Sequence, residues 1–315
     1  MSNYVTVKNL TKKYGELCAV DNLSFSVTKG EIFGFLGPNG AGKSTTLSAI
    51  TTLISYDKGE ITINGLDVKK DRMEIKQLIG LVSQDIAVYE HLSALENVKF
   101  FASLYGLKGS NLANSAKEAL EFVGLSDKHN MKPKQMSGGM RRRLNIACGI
   151  AHAPQLIVMD EPTVGVDTQS REHILGAIKT LRDRGATVIY TSHYMQEVEE
   201  ICDRIAIIDK GQMVACGNKA ELVSLVTDVQ SIFIETKLTN TAKMDEFKKK
   251  QKLMPDIKAI SIEENTVRID VSIEQNSISK IIEQFLILGL PIINIRSEVP
   301  NLDTMFLTLT GHELR

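Results

Sequence analysis

Apolar and polar positions alternate in short runs along the first 65 residues. The runs at 4–7, 23–27, 31–36 and 60–64, each bounded by turn residues, predict β-strands. Residues 71–78 predict a helix and 79–82 a further strand. From about residue 92 the period lengthens to that of a helix. Leu95, Val98, Phe101, Ala102 and Tyr105 share one stripe, and Ala113, Ala116, Leu120 and Val123 share another. A third helix is expected from Ser137.

Strand–helix alternation then returns. Residues 156–159 are a buried-strand run, 169–184 a helix ending at Gly185, 186–190 a strand, 195–202 a helix and 204–208 a strand. Such alternation predicts a parallel α/β core, with a helical subdomain inserted at about 85–152. A second unit is expected from about residue 229. Strands at 231–235, 257–262, 267–271 and 292–297, with helices at 242–253 and around Ile278–Ile281–Ile282–Phe285, follow the order β-α-β-β-α-β. That order predicts a small ferredoxin-like α+β domain over 229–315 behind an α/β domain over 1–228. Residues 302–309 would add a closing helix.

The 315 residues fit about two domains, and 43% hydrophobic with 24% charged content suits a packed globular core. With 37 basic and 38 acidic residues the net charge is −1. No global field therefore draws the chain to nucleic acid or anionic lipid. Cys18, Cys148, Cys202 and Cys216 are scattered, which argues against a zinc site or a disulfide framework. The N-terminal residues lack a signal-peptide core. The most apolar stretch, 285–293, is broken by Pro291 and falls short of the about 20 residues a membrane span needs.

Residues 37–45 read Gly37-Pro38-Asn39-Gly40-Ala41-Gly42-Lys43-Ser44-Thr45, between a predicted strand and a predicted helix. Glycines at this spacing let the backbone curl until its N–H groups face a phosphate chain at the positive end of the helix. Lys43 can then reach the β- and γ-phosphates, and Ser44 can ligand Mg²⁺. The strand at 156–159 ends in Asp160 and Glu161, two carboxylates delivered to a sheet edge. They suit a water-mediated Mg²⁺ contact (Asp160) and a general base for the attacking water (Glu161). Ser137, Gly138 and Gly139 open the third helix, where the serine caps and the glycines leave N–H groups open to a phosphate.

A phosphate loop, Ser-Gly-Gly at a helix start and a strand ending Asp160-Glu161-Pro162 together resemble the ATP-binding-cassette (ABC) ATPases. Met136 and Met140 stand where that family's signature usually has leucine and glutamine, as in its bacterial drug-exporter branch. The resemblance covers the whole chain, and its motifs are most specific over 1–220. The tail 301–315 is similar to that of daunorubicin-resistance exporter ATPases. It implies a P-loop NTPase fold, ATP and Mg²⁺ as cofactors, and an adenine-stacking Tyr14. Gln84 is implied as the loop glutamine that senses Mg²⁺ and the partner, and His193 as a switch histidine at the γ-phosphate. Gly165-Val166-Asp167 resembles the loop that crosses between subunits.

The family pattern also implies a head-to-tail homodimer, or a heterodimer with a paralogue, at the cytoplasmic face of the membrane. There it would serve a separate multi-spanning permease, whose cytoplasmic helix docks near Gln84 and residues 88–105. A soluble cassette ATPase acting on nucleic acid or ribosomes is the alternative, disfavoured by the single cassette and the neutral charge. The C-terminal unit is read as a dimer clamp or a small-molecule module. The arginines 141–143 are expected to form a solvated, salt-bridging helix face.

Overall fold

Long apolar runs between glycine-rich turns build a central sheet. The computed structural model describes residues 2–225, 229–236, 247, 257–263, 265–272, 277–298, 302, 305 and 306. These fall into two compact units that divide between Lys219 and Ala220.

The first unit opens with a hairpin, β1 (Asn3–Tyr14) and β2 (Leu17–Thr28), followed by β3 (Ile32–Leu36) and α1 (Lys43–Ile50). Next come β4 (Lys58–Ile63), β5 (Leu66–Asp67), α2 (Arg72–Leu78) and β6 (Ile79–Val82). Three α-helices then run between sheet strands: α3 (Ala94–Leu104), α4 (Gly109–Phe122) and α5 (Gly138–Ile150). The chain re-enters the sheet with β7 (Leu156–Asp160), α6 (Thr168–Asp183), β8 (Thr187–Thr191), α7 (Met195–Ile201), β9 (Arg204–Asp209) and β10 (Gln212–Gly217). A short helix, α8 (Lys219–Ser224), starts at the division and belongs to the second unit from Ala220 on.

The central sheet has the order β10-β9-β3-β8-β7-β6, parallel except for the antiparallel edge strand β10. Strands β3 and β8 are buried along their whole length, as parallel strands covered on both faces must be. A second, antiparallel sheet of order β2-β1-β4-β5 shares its core. Leu10, Leu23 and Ile61 from it meet Phe33 and Phe35 of β3, Leu47 and Ile50 of α1, and Val158 of β7. Each such side chain contributes about 1.5–3 kcal/mol when fully buried. Helix α5 lies close on β6 because both carry glycine at the crossing. A Cβ on Gly80 would sit 2.3 Å from the Gly149 carbonyl oxygen.

The second unit contains β11 (Val229–Glu235), β12 (Ile257–Glu263), β13 (Thr266–Ser272), α9 (Ser277–Ile287) and β14 (Asn294–Glu298). Its sheet is antiparallel throughout in the order β12-β13-β11-β14, that of a β-α-β-β-α-β sandwich. Ile232, Ile269, Ile281 and Phe285 form its core, and Phe247 packs edge-on to Phe285 at 4.8 Å. The helix expected at 242–253 lies outside the described residues apart from Phe247. The one at 302–309 does so apart from residues 302, 305 and 306, which are helical and buried.

The α/β class and the parallel core match the sequence pattern. β1 and β2 are longer than the apolar runs indicated, because bulges interrupt their alternation. β5 and β10 had no strong signal. β10 is half-exposed, and its pairing with β9 is what makes it a strand.

Candidate functional site

Four parallel strands, β3, β8, β7 and β6, lie side by side, so their C-terminal ends open on one edge of the sheet. The phosphate loop leaves β3, Asp160 and Glu161 end and follow β7, Ser192 and His193 follow β8, and Gln84 follows β6. Ligands of open α/β sheets bind at this edge.

The phosphate loop turns into α1 at Gly42, whose φ of 98° favours glycine. A Cβ there would also stand 2.4 Å from the Ala19 carbonyl oxygen of β2. The loop is braced from outside, because Gly211 N donates to Ala41 O at 3.0 Å. Gly37 and Ala41 are buried, Pro38 is half-buried, and Asn39 and Gly40 are exposed. Lys43 is 6% exposed, and its Nζ donates to Gly37 O (2.6 Å) and Pro38 O (3.2 Å). Burial lowers its pKa, while the charges of Glu161 and Asp160 push it back up. Ser44 is exposed and Thr45 half-buried in the first turn of α1.

Thr191, opposite Asp160 in the sheet register, organises the acidic pair. Its hydroxyl donates to Asp160 Oδ1 (2.6 Å) and accepts from Glu161 N (2.9 Å). Glu161 is buried and takes φ +49°, the left-handed region that non-glycine residues occupy at a cost. Gln84 Nε2 donates to Glu161 Oε2 at 3.2 Å, and His193 Nδ1 lies 3.4 Å from the same oxygen. Gln84, Glu161 and His193, from three different strands, therefore converge on one carboxylate oxygen.

Other expected residues sit apart. Ser137 caps α5 by accepting from Met140 N (3.2 Å), and both it and Gly138 are exposed. Gly139 is buried against Ser170 and Asp167 at the start of α6. Asp167 caps α6, accepting from Ser170 N and Ser170 Oγ at 2.9 Å each, bonds that hold its carboxyl below its usual range. Tyr14 ends β1 at the tip of the hairpin, half-exposed, with the Lys12 ammonium 5.1 Å from its ring centre.

The arginine run differs from the solvated face its charge suggests. Arg141 is exposed, but Arg142 is buried, and its NH1 donates to Ser83 O (3.1 Å) and Gln84 O (2.7 Å). Arg143 NH1 donates to Val123 O at 3.0 Å. Asn145, one turn beyond Arg142, accepts from Ala87 N (3.2 Å). Helix α5 thus grips the backbone that carries Gln84. The sequence held no pointer to this role, because the partners are backbone carbonyls nearly sixty residues away.

A glycine loop between a buried strand and a helix, beside a strand tipped by two acids, defines a P-loop nucleoside triphosphatase. Comparison with known proteins narrows the class. The family model described as ABC transporter matches residues 20–164. The chain is 42% identical to the linearmycin resistance ATP-binding protein of Bacillus subtilis, over 98% of each chain. It is 33% identical to a daunorubicin resistance ATP-binding protein of Streptomyces coeruleorubidus, over 98% of this chain and 95% of that one. Among solved structures, a dimeric ATP-binding cassette in a post-hydrolysis state, bound to ADP and Pi, aligns with a TM-score of 0.62 and 31% identity. That alignment covers 68% of this chain and 98% of the cassette. The chain belongs to the ABC transporter family and is one of its ATPases.

Proposed function

We propose that the chain powers a drug-exporting ABC transporter by closing on ATP as a pair of copies and reopening on hydrolysis. The convergence of Gln84, Glu161 and His193 on one carboxylate oxygen carries this reading. Glu161 takes the proton of the attacking water. Gln84 and His193 fix its carboxylate from two sides, and His193 reaches the γ-phosphate. Lys43 and the loop N–H groups hold the phosphates, and Tyr14 stacks on the adenine. Residues 1–228 form the ATPase domain and 229–315 an accessory one.

Among the described residues no cluster of three His, Cys, Asp or Glu side chains forms a protein-only metal cage. The donors present suit Mg²⁺, which takes one or two protein ligands together with phosphate oxygens and waters. Ser44, Asp160 and Gln84 would hold it, and it would neutralise charge on the β- and γ-phosphates.

Ser137 and Gly138 head a helix on an exposed surface, and α5 packs on α3, α4, β6 and α6. This supports a nucleotide sandwiched between the phosphate loop of one copy and Ser137-Gly138-Gly139 of another. Hydrolysis removes the bridging γ-phosphate and favours opening.

Among the described residues no helix is long and apolar enough to cross a membrane. Transport then needs a separate multi-spanning permease, with this chain peripheral on the cytoplasmic face. An open groove of about 500 Å³ beside the Gln84 loop, lined by Leu53, Met73, Phe101, Leu104 and Tyr105, suits a cytoplasmic helix of that permease. The names of the relatives, linearmycin and daunorubicin resistance, favour drug cargo. A photo-crosslinker at Leu104, in membranes of the native host, is expected to capture a multi-spanning membrane protein. Capture only from positions in the C-terminal unit would contradict the groove as the docking site.

A further inference from the structure

Behind the hydrolytic residues lies a second carboxylate with no place in the scheme above. Glu197, on α7, is 3% exposed. Its Oε2 accepts three hydroxyl hydrogen bonds, from Tyr190 (2.6 Å), Ser192 (2.7 Å) and Thr163 (2.8 Å). Its Oε1 lies 3.2 Å from Arg171 Nε on α6, an ion pair without hydrogen-bond alignment. A carboxylate withdrawn from water needs such a set of donors.

The identity of the donors carries the inference. Ser192 directly precedes His193, and its Oγ also accepts from Tyr194 N at 2.9 Å. Tyr194, on the other side of His193, lies under the Arg171 guanidinium at 4.5 Å, and its ring is 4.3 Å from the histidine ring. His193 is thus held on both sides by groups tied to Glu197. Thr163 is two residues beyond Glu161 and begins the turn leading to Asp167. The two residues that meet at 3.4 Å, Glu161 and His193, are each tethered within two residues to the same buried carboxylate.

We propose that Glu197 is a positioning residue for ATP hydrolysis, setting His193 against Glu161 by holding Ser192 and Thr163 from one carboxylate. It touches neither substrate nor reacting atoms; it sets the contact between His193 and Glu161 and so acts only where the histidine is present. The inference rests on the reading of Glu161 and His193 as the hydrolytic pair. Glutamine at 197 keeps the shape but cannot serve both sides. With its oxygen among the hydroxyls, its N–H₂ faces Arg171, and flipped, it sets N–H₂ against three hydroxyl donors.

The test is a double-mutant cycle on the full chain, with kcat and KM for ATP measured for the wild type, Glu197→Gln, His193→Ala and the double variant. Glu197→Gln is expected to lower kcat on the order of 10- to 100-fold, the scale of a misplaced catalytic group, with KM within about threefold. The double variant is expected to match His193→Ala, because a group that acts through the histidine has nothing left to position. A loss by the same factor in both backgrounds, or no loss in either, overturns the proposal. Wild-type turnover by His193→Ala overturns the histidine reading and this proposal with it. A slow His193→Ala with an additive Glu197→Gln overturns the proposal alone. Should Glu197→Gln lack a cooperative thermal transition, Ser192→Ala, which removes one hydroxyl, takes its place in the cycle under the same criteria.

Discussion

His152 stacks flat on Tyr105, ring centres 3.5 Å apart, and donates from Nε2 to Ile79 O at 3.0 Å. Burial pushes its imidazole down to about 4, against the opposing pull of the Ile79 carbonyl. Between pH 6.5 and about 4 the unfolded chain therefore binds a proton here that the folded chain refuses. Stability from this site falls as pH drops through that window and falls no further below it. His152→Phe keeps a ring on Tyr105 and removes the titration. Urea unfolding across pH 4–6.5 is expected to give the variant the shallower fall, and equal slopes would contradict the assignment. For the residues assigned from the sequence, Gly37 through Thr45, Gln84, Asp160, Glu161 and His193, the proposed chemistry is written in residue type and local order. Glu197, Thr191 and Arg142 do not. A buried glutamate on a short helix reads locally as one more solvated acid, and only the fold supplies its three hydroxyls and its arginine.

At the scale of elements, α5 links two parts of the machinery. Its N-terminus presents Ser137 and Gly138 at the surface, and one turn in, Arg142 and Asn145 hold residues 83–87. Arg142→Ala removes the Arg142 donor from the Gln84 carbonyl and leaves the Ser83 carbonyl only the longer bond from Asn145 Nδ2 (3.4 Å), which frees the loop at about 1–3 kcal/mol of stability. Turnover is expected to fall roughly tenfold as Gln84 leaves Glu161. Steady-state ATPase assays and a thermal melt check both, and unchanged turnover would detach α5 from the catalytic residues. The arginine run illustrates where sequence reading stops. Charge runs are mostly solvated faces, yet the close approach of α5 and β6 at Gly80 and Gly149 carries Arg142 inward. Strands with continuous apolar runs, β3, β7 and β8, were legible because burial on both faces leaves that pattern. β10 and the outer parts of β1 and β2 depend on partners distant in sequence, so no local window reveals them.

At the scale of the whole molecule, the proposed pairing makes the cassette one half of a device. It holds one phosphate loop and one Ser-Gly-Gly segment, and Ser137 and Gly138 of the latter are exposed on its own chain. The linear motifs allowed this to be expected from the sequence, since they occur once each, but the sequence alone could not say which surface carries each motif. In the proposed cycle ATP joins two copies, and Glu161-dependent hydrolysis releases them. Glu161→Gln should retain ATP while losing nearly all turnover, because the amide cannot take the proton of the attacking water. Light scattering on size-exclusion chromatography of Glu161→Gln, in saturating ATP and Mg²⁺, tests this most directly. Twice the mass of one chain is expected with ATP, and the mass of one chain without it. A single-chain mass with ATP demonstrably bound would contradict the proposed cycle.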